Sequence, residues 1–275
     1  MRFLIQRING RVCHDFTFEL ENSIEYQNWK DPNDPIESIY CELEEIPTLT
    51  DVNNCIPVGT IEFVYSFIDH HIQPNGSQKI RPLNVPHELM FQGERMIRNY
   101  EIKSDLLRFS AVEDWIHDCV EPNSRVFIKS NDRIKSDING IHDINDIQSR
   151  DIIPDGNYQI SSLVNILSEY RVFIYQDMIL GIQYYNGDFM VMPDTRSIKN
   201  MVDLYVWDYG YGNAPVAWTL DVAVINTEFG QQTAVIECHE FFSCGLYGFT
   251  SPRLPFMFSR TWYDILKRIN QRGQE

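Results

Sequence analysis

Basic charge is scarce in this sequence. Its 275 residues carry 23 Lys and Arg against 39 Asp and Glu, a formal net charge of −16 with a pI near 4.8. Binding to a phosphate backbone through counterion release needs clustered cations, so generic nucleic-acid binding is excluded as an expectation. An anionic membrane surface would repel the chain. No stretch approaches the roughly 18–20 consecutive apolar residues that a spanning helix needs. No two of the six cysteines (Cys13, Cys41, Cys55, Cys119, Cys238 and Cys244) stand at the C-x-x-C spacing of zinc and redox sites. They read as reduced thiols in a core. The opening MRFLIQRING has no apolar stretch followed by small residues, as a secretory leader would. A cytoplasmic protein is expected. G-x-G-x-x-G and G-x-x-x-x-G-K-[ST] are both missing, so neither a Rossmann site nor a P-loop is predicted.

What is present is a folding composition, with 43% hydrophobic and 13% aromatic residues, enough for a substantial core. The first hundred residues read as strand-rich. Alternation predicts strands at 3–8 and 16–20, with Asn9-Gly10 as a hairpin turn between them. DPNDP at 31–35 is a loop. The acidic stretch with Glu37, Glu42, Glu44 and Glu45 reads as a solvated face, and the apolar run 61–68 as a buried strand. PNGSQKIRPLNVP at 74–86 reads as a linker, which places a domain boundary near residue 90. Beyond it, helices are expected at 88–98, 112–119, 198–205 and 262–269. Strands are expected at 124–129, 161–167, 170–175, 178–185, 219–226 and 233–239, with Ser168-Glu169 as a break. This is an antiparallel α+β pattern.

Several charged groups lie in or beside apolar strands. Lys129 ends VFIK, Glu169 and Arg171 flank Tyr170, Asp221 lies inside TLDVAVI, and Glu237 lies inside TAVIECH. A charge in a strand core needs a partner, a metal or a ligand. Each alone has a plain explanation, Lys129 and Arg171 as strand ends in solvent and Asp221 as the partner of a core Arg; the set is harder to explain so. Asp69-His70-His71 reads as exposed or edge packing, because neighbours on a strand point to opposite faces. The same divergence argues against a Cys238–His239 nucleophile pair. The aromatic stretch at 205–218 fits either a loop facing substrate or a cover over the core.

FIKS at 127–130, SEYRVFI at 168–174, LDVAVI at 220–225 and VIECHEFFSCGLYGF at 235–249 resemble the ATP-grasp superfamily. Within it they resemble the clade called R-two-K, common in tailed phages and some bacteria. PVGTIEFV at 57–64 and RPLNVPHEL at 81–89 are similar as well. The resemblance implies an ATP-grasp fold, two α+β subdomains gripping ATP, over residues 91–275. A strand-rich domain of residues 1–90, like those that precede ATP-grasp domains, would come first.

It further implies that Lys129 reaches the phosphates and the adenine edge, with Lys135 on a lid loop. Ser161, Ser162, Leu163 and Val164 would form the hinge strand whose backbone reads adenine. Asp221 and Glu237 would hold Mg2+, whose preference for hard oxygen ligands suits carboxylates. Arg171 would lie near the transferred phosphate or the activated acid, with Glu169 holding that Arg or touching the ribose. GLYG at 245–248 would be a tight turn or a close approach to ligand. One position departs from the family. Where many members have Glu-x-Asn, this chain has Glu237-Cys238-His239, and an imidazole suits Mn2+ better than Mg2+. His239 would be a ligand, a phosphate contact or a proton carrier, and Glu240 could supply the oxygen in its place.

The implied activity is an ATP-dependent carboxylate–amine ligase acting through an acyl phosphate, in the host cytoplasm if the chain is phage-encoded. Its partners would be ATP, a carboxylate substrate and an amine: an amino acid, a peptide or a protein. The alternatives are a degenerate ATP-grasp protein that binds nucleotide without turnover, suggested by His239, and an acidic interaction protein, suggested by the charge.

Overall fold

The computed structural model describes residues 1–52, 54–73, 125–130, 140–143, 158–208 and 214–272. For residues 129, 130, 158–162, 207, 208, 271 and 272 the description is of the backbone alone. The linker at 74–86, the boundary near residue 90, the helices at 88–98 and 112–119, Cys119 and Lys135 lie outside the described residues.

The N-terminal part is a parallel α/β unit. Strand β1 (Arg2–Gln6) is central, flanked by β2 (Glu37–Cys41) and β3 (Ile56–Val58), both parallel to it. Parallel neighbours need a crossover, and helix α1 (Asp15–Lys30) supplies the first. Two expected strands are therefore helices. Residues 16–20 belong to α1, where Phe16, Thr17, Leu20, Ser23 and Ile24 are buried at helical spacing while Phe18 is exposed. Residues 61–67 form α2 (Ile61–Phe67), buried through Phe63, Val64 and Phe67 and capped by the Thr60 hydroxyl, which accepts from the Phe63 N–H. Asn9 and Gly10 do turn the chain, at φ 53° and 72°, but the turn leads into a helix rather than a second strand. The acidic stretch is more than a solvated face. Glu42 and Glu45 close a capping box, the Glu42 carboxylate accepts from the Gly10 N–H, and Ile46 is buried beneath.

The C-terminal part is antiparallel, as expected. A small sheet has the order β5-β4-β6, from β4 (Arg125–Ser130), β5 (Gly140–Asp143) and β6 (Tyr158–Ser162). A larger sheet has the order β10-β9-β7-β8, from β7 (Ile166–Tyr175), β8 (Met178–Gly187), β9 (Ala217–Thr227) and β10 (Gly230–Glu240). Ser168 and Glu169 do not break a strand. They lie inside β7 at register irregularities, and the buried Ser168 hydroxyl donates to the Val191 carbonyl. At the far end of that pairing Gly187 (φ 91°) is obligatory, since a Cβ there would lie 2.3 Å from the Leu167 carbonyl oxygen.

Helix α3 (Thr195–Asp208) covers one face of the larger sheet. Its Ile198, Met201 and Tyr205 pack on Val172, Leu220 and Val222, with Tyr205 stacked 4.0 Å from Trp218. The two ends of the aromatic stretch are thus core. On the other face, one end of the sheet joins the N-terminal unit and helix α4 (Leu254–Arg272) in a common core. The other end carries a small apolar patch of Ala223, Ile225 and Ala234. Between these two apolar regions the face is polar.

Candidate active site on the polar face of the large sheet

Strand alternation places Glu169 and Arg171 of β7 and Asp221 of β9 on this face, and their neighbours Tyr170, Val172, Leu220 and Val222 under α3. Strand β10 would be out of phase without a bulge between Val235 and Glu237. The extra residue keeps both Val235 and Cys238 in the α3 core and turns Glu237 and His239 to the polar side. Arg171, Asp221 and Glu237 then stand in register across three strands.

The side chains converge. Arg171 Nε and Nη2 donate to the two oxygens of Asp221, each at 2.8 Å, in a fork-to-fork ion pair. Nη1 donates to the Gly245 carbonyl at 3.0 Å. Three of the five N–H groups are thereby used, and among the described residues the other two have no partner. His239 Nε2 lies 2.9 Å from Glu237 Oε1 and 3.6 Å from Asp221 Oδ2. Ligand atoms of Asp221, Glu237 and His239 all fall within 4.8 Å of one another, the one such set of three among the described residues. Burial pushes the Asp221 carboxyl up, but the hydrogen bonds and charge of Arg171 and His239 outweigh it and hold the carboxyl below its usual range. His239 is shifted the opposite way. Burial lowers it, yet Asp221 and Glu237 together raise it to about 9. With His239 protonated, two cations face two carboxylates.

That shift has a measurable consequence in metal-free buffer. A histidine raised above its ordinary 6.5 contributes stability that is complete below that pH and is lost as pH rises through about 9. Urea midpoints taken between about pH 6 and pH 10 are expected to fall across this window, and His239→Asn should flatten the fall.

Glu169 shares the face but does not hold Arg171. Its oxygens accept from Tyr185 Oη at 2.9 Å and Asn186 Nδ2 at 2.7 Å. Tyr185 stacks on Tyr247, and the Arg171 guanidinium carbon lies 5.1 Å from the Tyr247 ring centre. Burial, and then the Asp221 and Glu169 charges, push the Tyr185 hydroxyl up, so it stays a donor. In GLYG, Tyr247 and Gly248 have φ of 51° and 87°, a turn, and the Gly245 carbonyl meets Arg171.

Other expected groups fall elsewhere. Glu240 is buried in an ion pair with Arg268 of α4, its carboxyl raised to about 7 by burial against the pull of Arg268; it is not part of the cluster. Cys238 lies on the α3 side, away from His239. His70 contacts the Ser66 carbonyl and His71 the Ile46 carbonyl, so they form no metal pair. Ser161 and Ser162 end β6, and Leu163 and Val164 link it to β7, joining the two sheets. Lys129 is on β4, in register with Gln159. A cavity of about 1070 Å³ opens beside the β9–β10 turn, lined by Met192, Asp194 and Phe229. Asp194 there caps α3 through Ser197. Sequence reasoning missed Tyr185, and it missed Asp15, whose carboxylate holds the 246–247 backbone.

A family model described as ATP-grasp domain, R2K clade family 2, matches residues 108–254, which include β4 to β10. The chain belongs to this family. It is an enzyme of the ATP-grasp class, with the ATP-grasp fold that the resemblance implied. Similar solved structures extend the likeness through the N-terminal unit. D-cycloserine synthetase DcsG is 12% identical, with 97% of this chain and 100% of that one covered and a TM-score of 0.57. A RimK domain ATP-grasp protein from Sphaerobacter thermophilus DSM 20745 is 12% identical, covering 95% and 97%, with a TM-score of 0.55. The macrocyclase MdnC from Microcystis aeruginosa MRC, bound with precursor peptide MdnA, is 12% identical, covering 94% and 98%, with a TM-score of 0.51. At this identity the likeness is one of fold. No curated protein matches this ATP-grasp chain in sequence. Among its described residues no helix is long and apolar enough to cross a membrane.

Proposed function

We propose that the protein is an ATP-dependent carboxylate–amine ligase of the cytoplasm. ATP phosphorylates a substrate carboxylate, an amine attacks the acyl phosphate, and phosphate leaves as the amide forms. The observation that carries this reading is the convergence of Asp221, Glu237 and His239 beside Arg171 on the polar face of the sheet. Two carboxylates and an imidazole are a donor set for a divalent cation, Mg2+ or, with the nitrogen ligand, Mn2+. Such an ion would neutralise charge on the phosphates. Arg171 fixes Asp221 and directs its two remaining N–H groups to the transferred phosphate or the acid. Lys129 and Lys135 serve the phosphates, and residues 161–164 the adenine edge. Glu169, held by Tyr185 and Asn186, faces the ribose. The acid and amine are drawn from amino acids, peptides and proteins.

ATP with Mg2+ or Mn2+ is expected to raise the melting temperature, since a ligand held at about a hundred times its Kd stabilises the fold by about 2.7 kcal/mol. Lys129→Ala should remove most of the shift. No shift at millimolar nucleotide overturns the proposal. A second reading has its own support: Arg171 and His239 already balance both carboxylates, as a site that binds nucleotide without turnover would allow. A thermal shift with no ADP released in the presence of amino acid and peptide pools would favour it.

A further inference from the structure

The Arg171–Asp221 pair is connected by hydrogen bonds to a residue outside the matched family segment. Asp15 is the first residue of α1, in the N-terminal unit. Its Oδ2 accepts from two successive backbone N–H groups, Leu246 at 2.6 Å and Tyr247 at 3.0 Å. The Leu246 N–H and the Gly245 carbonyl belong to one peptide group. That carbonyl accepts from Arg171 Nη1. A single peptide is thus clamped between a carboxylate on its N–H side and a guanidinium on its oxygen side, an arrangement in which each bond polarises and strengthens the other. Past this peptide the same loop carries Tyr247, which stacks on Tyr185, and Tyr185 holds Glu169. The loop that this one carboxylate binds therefore touches two arms of the site, Arg171–Asp221 and Tyr247–Tyr185–Glu169.

We infer that Asp15 is a positioning residue for the active site: through the Gly245–Leu246 peptide it fixes Arg171, and through Arg171 the Asp221 carboxylate that faces the cation. This rests on the proposed function for its last step, the cation, and on the structure alone for the relay. Packing does not require Asp15. Its side chain is exposed, and the loop is anchored separately by the fully buried Leu246 and by the Ser243 hydroxyl bonded to the Gly59 carbonyl. The carboxylate adds orientation, and groups that orient a metal ligand tune its affinity.

The test uses the full chain and two readouts. The first is the NMR signal of the Arg171 Nε–H, assigned by its loss in Arg171→Lys and shielded from solvent exchange by the buried bond to Asp221. In Asp15→Ala this proton is expected to exchange about tenfold faster. The second is binding of Mn2+ alone, followed by loss of the free-ion EPR signal. Its Kd should rise about tenfold, the lower end for outer-shell partners of a metal site. Ser23→Ala is the control, since Ser23 ties α1 to the Ser251 carbonyl without touching the relay, and both readouts should stay at the wild-type value. Asp15→Asn, which keeps one acceptor oxygen, should shift both less and in the same direction, and it replaces Asp15→Ala if that variant does not fold. Unchanged Arg171 exchange overturns the relay. Faster exchange with unchanged Mn2+ affinity overturns its action on the cation site. A wild-type protein that binds neither Mn2+ nor ATP contradicts the proposed function, and the exchange readout still decides the relay.

Discussion

Glu237→Gln is expected to lower ATP turnover by about a hundredfold to a thousandfold, the usual loss when a group that stabilises developing charge is removed. Glu237 is the more exposed of the two carboxylates, and its substitution leaves the Arg171–Asp221 pair in place. Its side chain is 27% exposed against 2% for Asp221, though the amide also weakens its contact with His239. Asp221→Asn should lose at least as much turnover, but it also leaves Arg171 without its charge partner, so its folded fraction must be measured alongside. Steady-state ADP release at saturating ATP, with circular dichroism as the fold check, separates the two effects. Near wild-type turnover in folded Glu237→Gln would remove Glu237 from the cation site. That result would leave His239 with only one carboxylate as a possible co-ligand.

The largest effect on stability is expected at Arg171. Asp221 is 2% exposed and both its oxygens are held by the guanidinium. Arg171→Met should cost about 3–5 kcal/mol, because it abandons a buried carboxylate, whereas removing both charges together leaves none unpaired. The double variant Arg171→Met/Asp221→Leu should therefore recover most of the loss. Urea unfolding at neutral pH measures both. In Arg171→Met the deficit should shrink as pH falls, since protonation relieves the stranded Asp221. A loss below about 1 kcal/mol would be the size of an exposed pair and would contradict the burial described.

Much of the larger sheet was legible beforehand because its determinants are local. YRVFIY, TLDVAVI and TAVIECH are β-branched and aromatic runs bounded by turn residues, and Gln176-Asp177 and Glu228-Phe229 turn the chain between them. The charged residues inside those runs marked the polar face because isolated charges do not persist in a core. The N-terminal unit was misread for an equally local reason. Phe16, Phe18 and Leu20 alternate as a strand would, and the five residues do not distinguish period 2 from period 3.6. Burial of Thr17, Ser23 and Ile24 with Phe16 and Leu20 shows which period is real.

The sequence by itself determined the family, the antiparallel strands of the second half and the identity of the charged residues that meet there. The family rests on the order of several short motifs that resemble it, and the strands and charged residues on side-chain patterns within single segments. Only the tertiary structure decided how those residues meet. The bulge between Val235 and Glu237 selects the face on which Glu237 and His239 appear, and a one-residue shift of phase has no signature in composition. The partner of Arg171 proved to be Asp221, fifty residues away, and not Glu169, two residues away on the same face. Asp15 reaches Leu246 across 231 residues. Hydrogen bonds and ion pairs act over about 3 Å of space regardless of chain separation, so their pairing is set by the packing of α1, β7, β9 and β10 and not by any one of those segments.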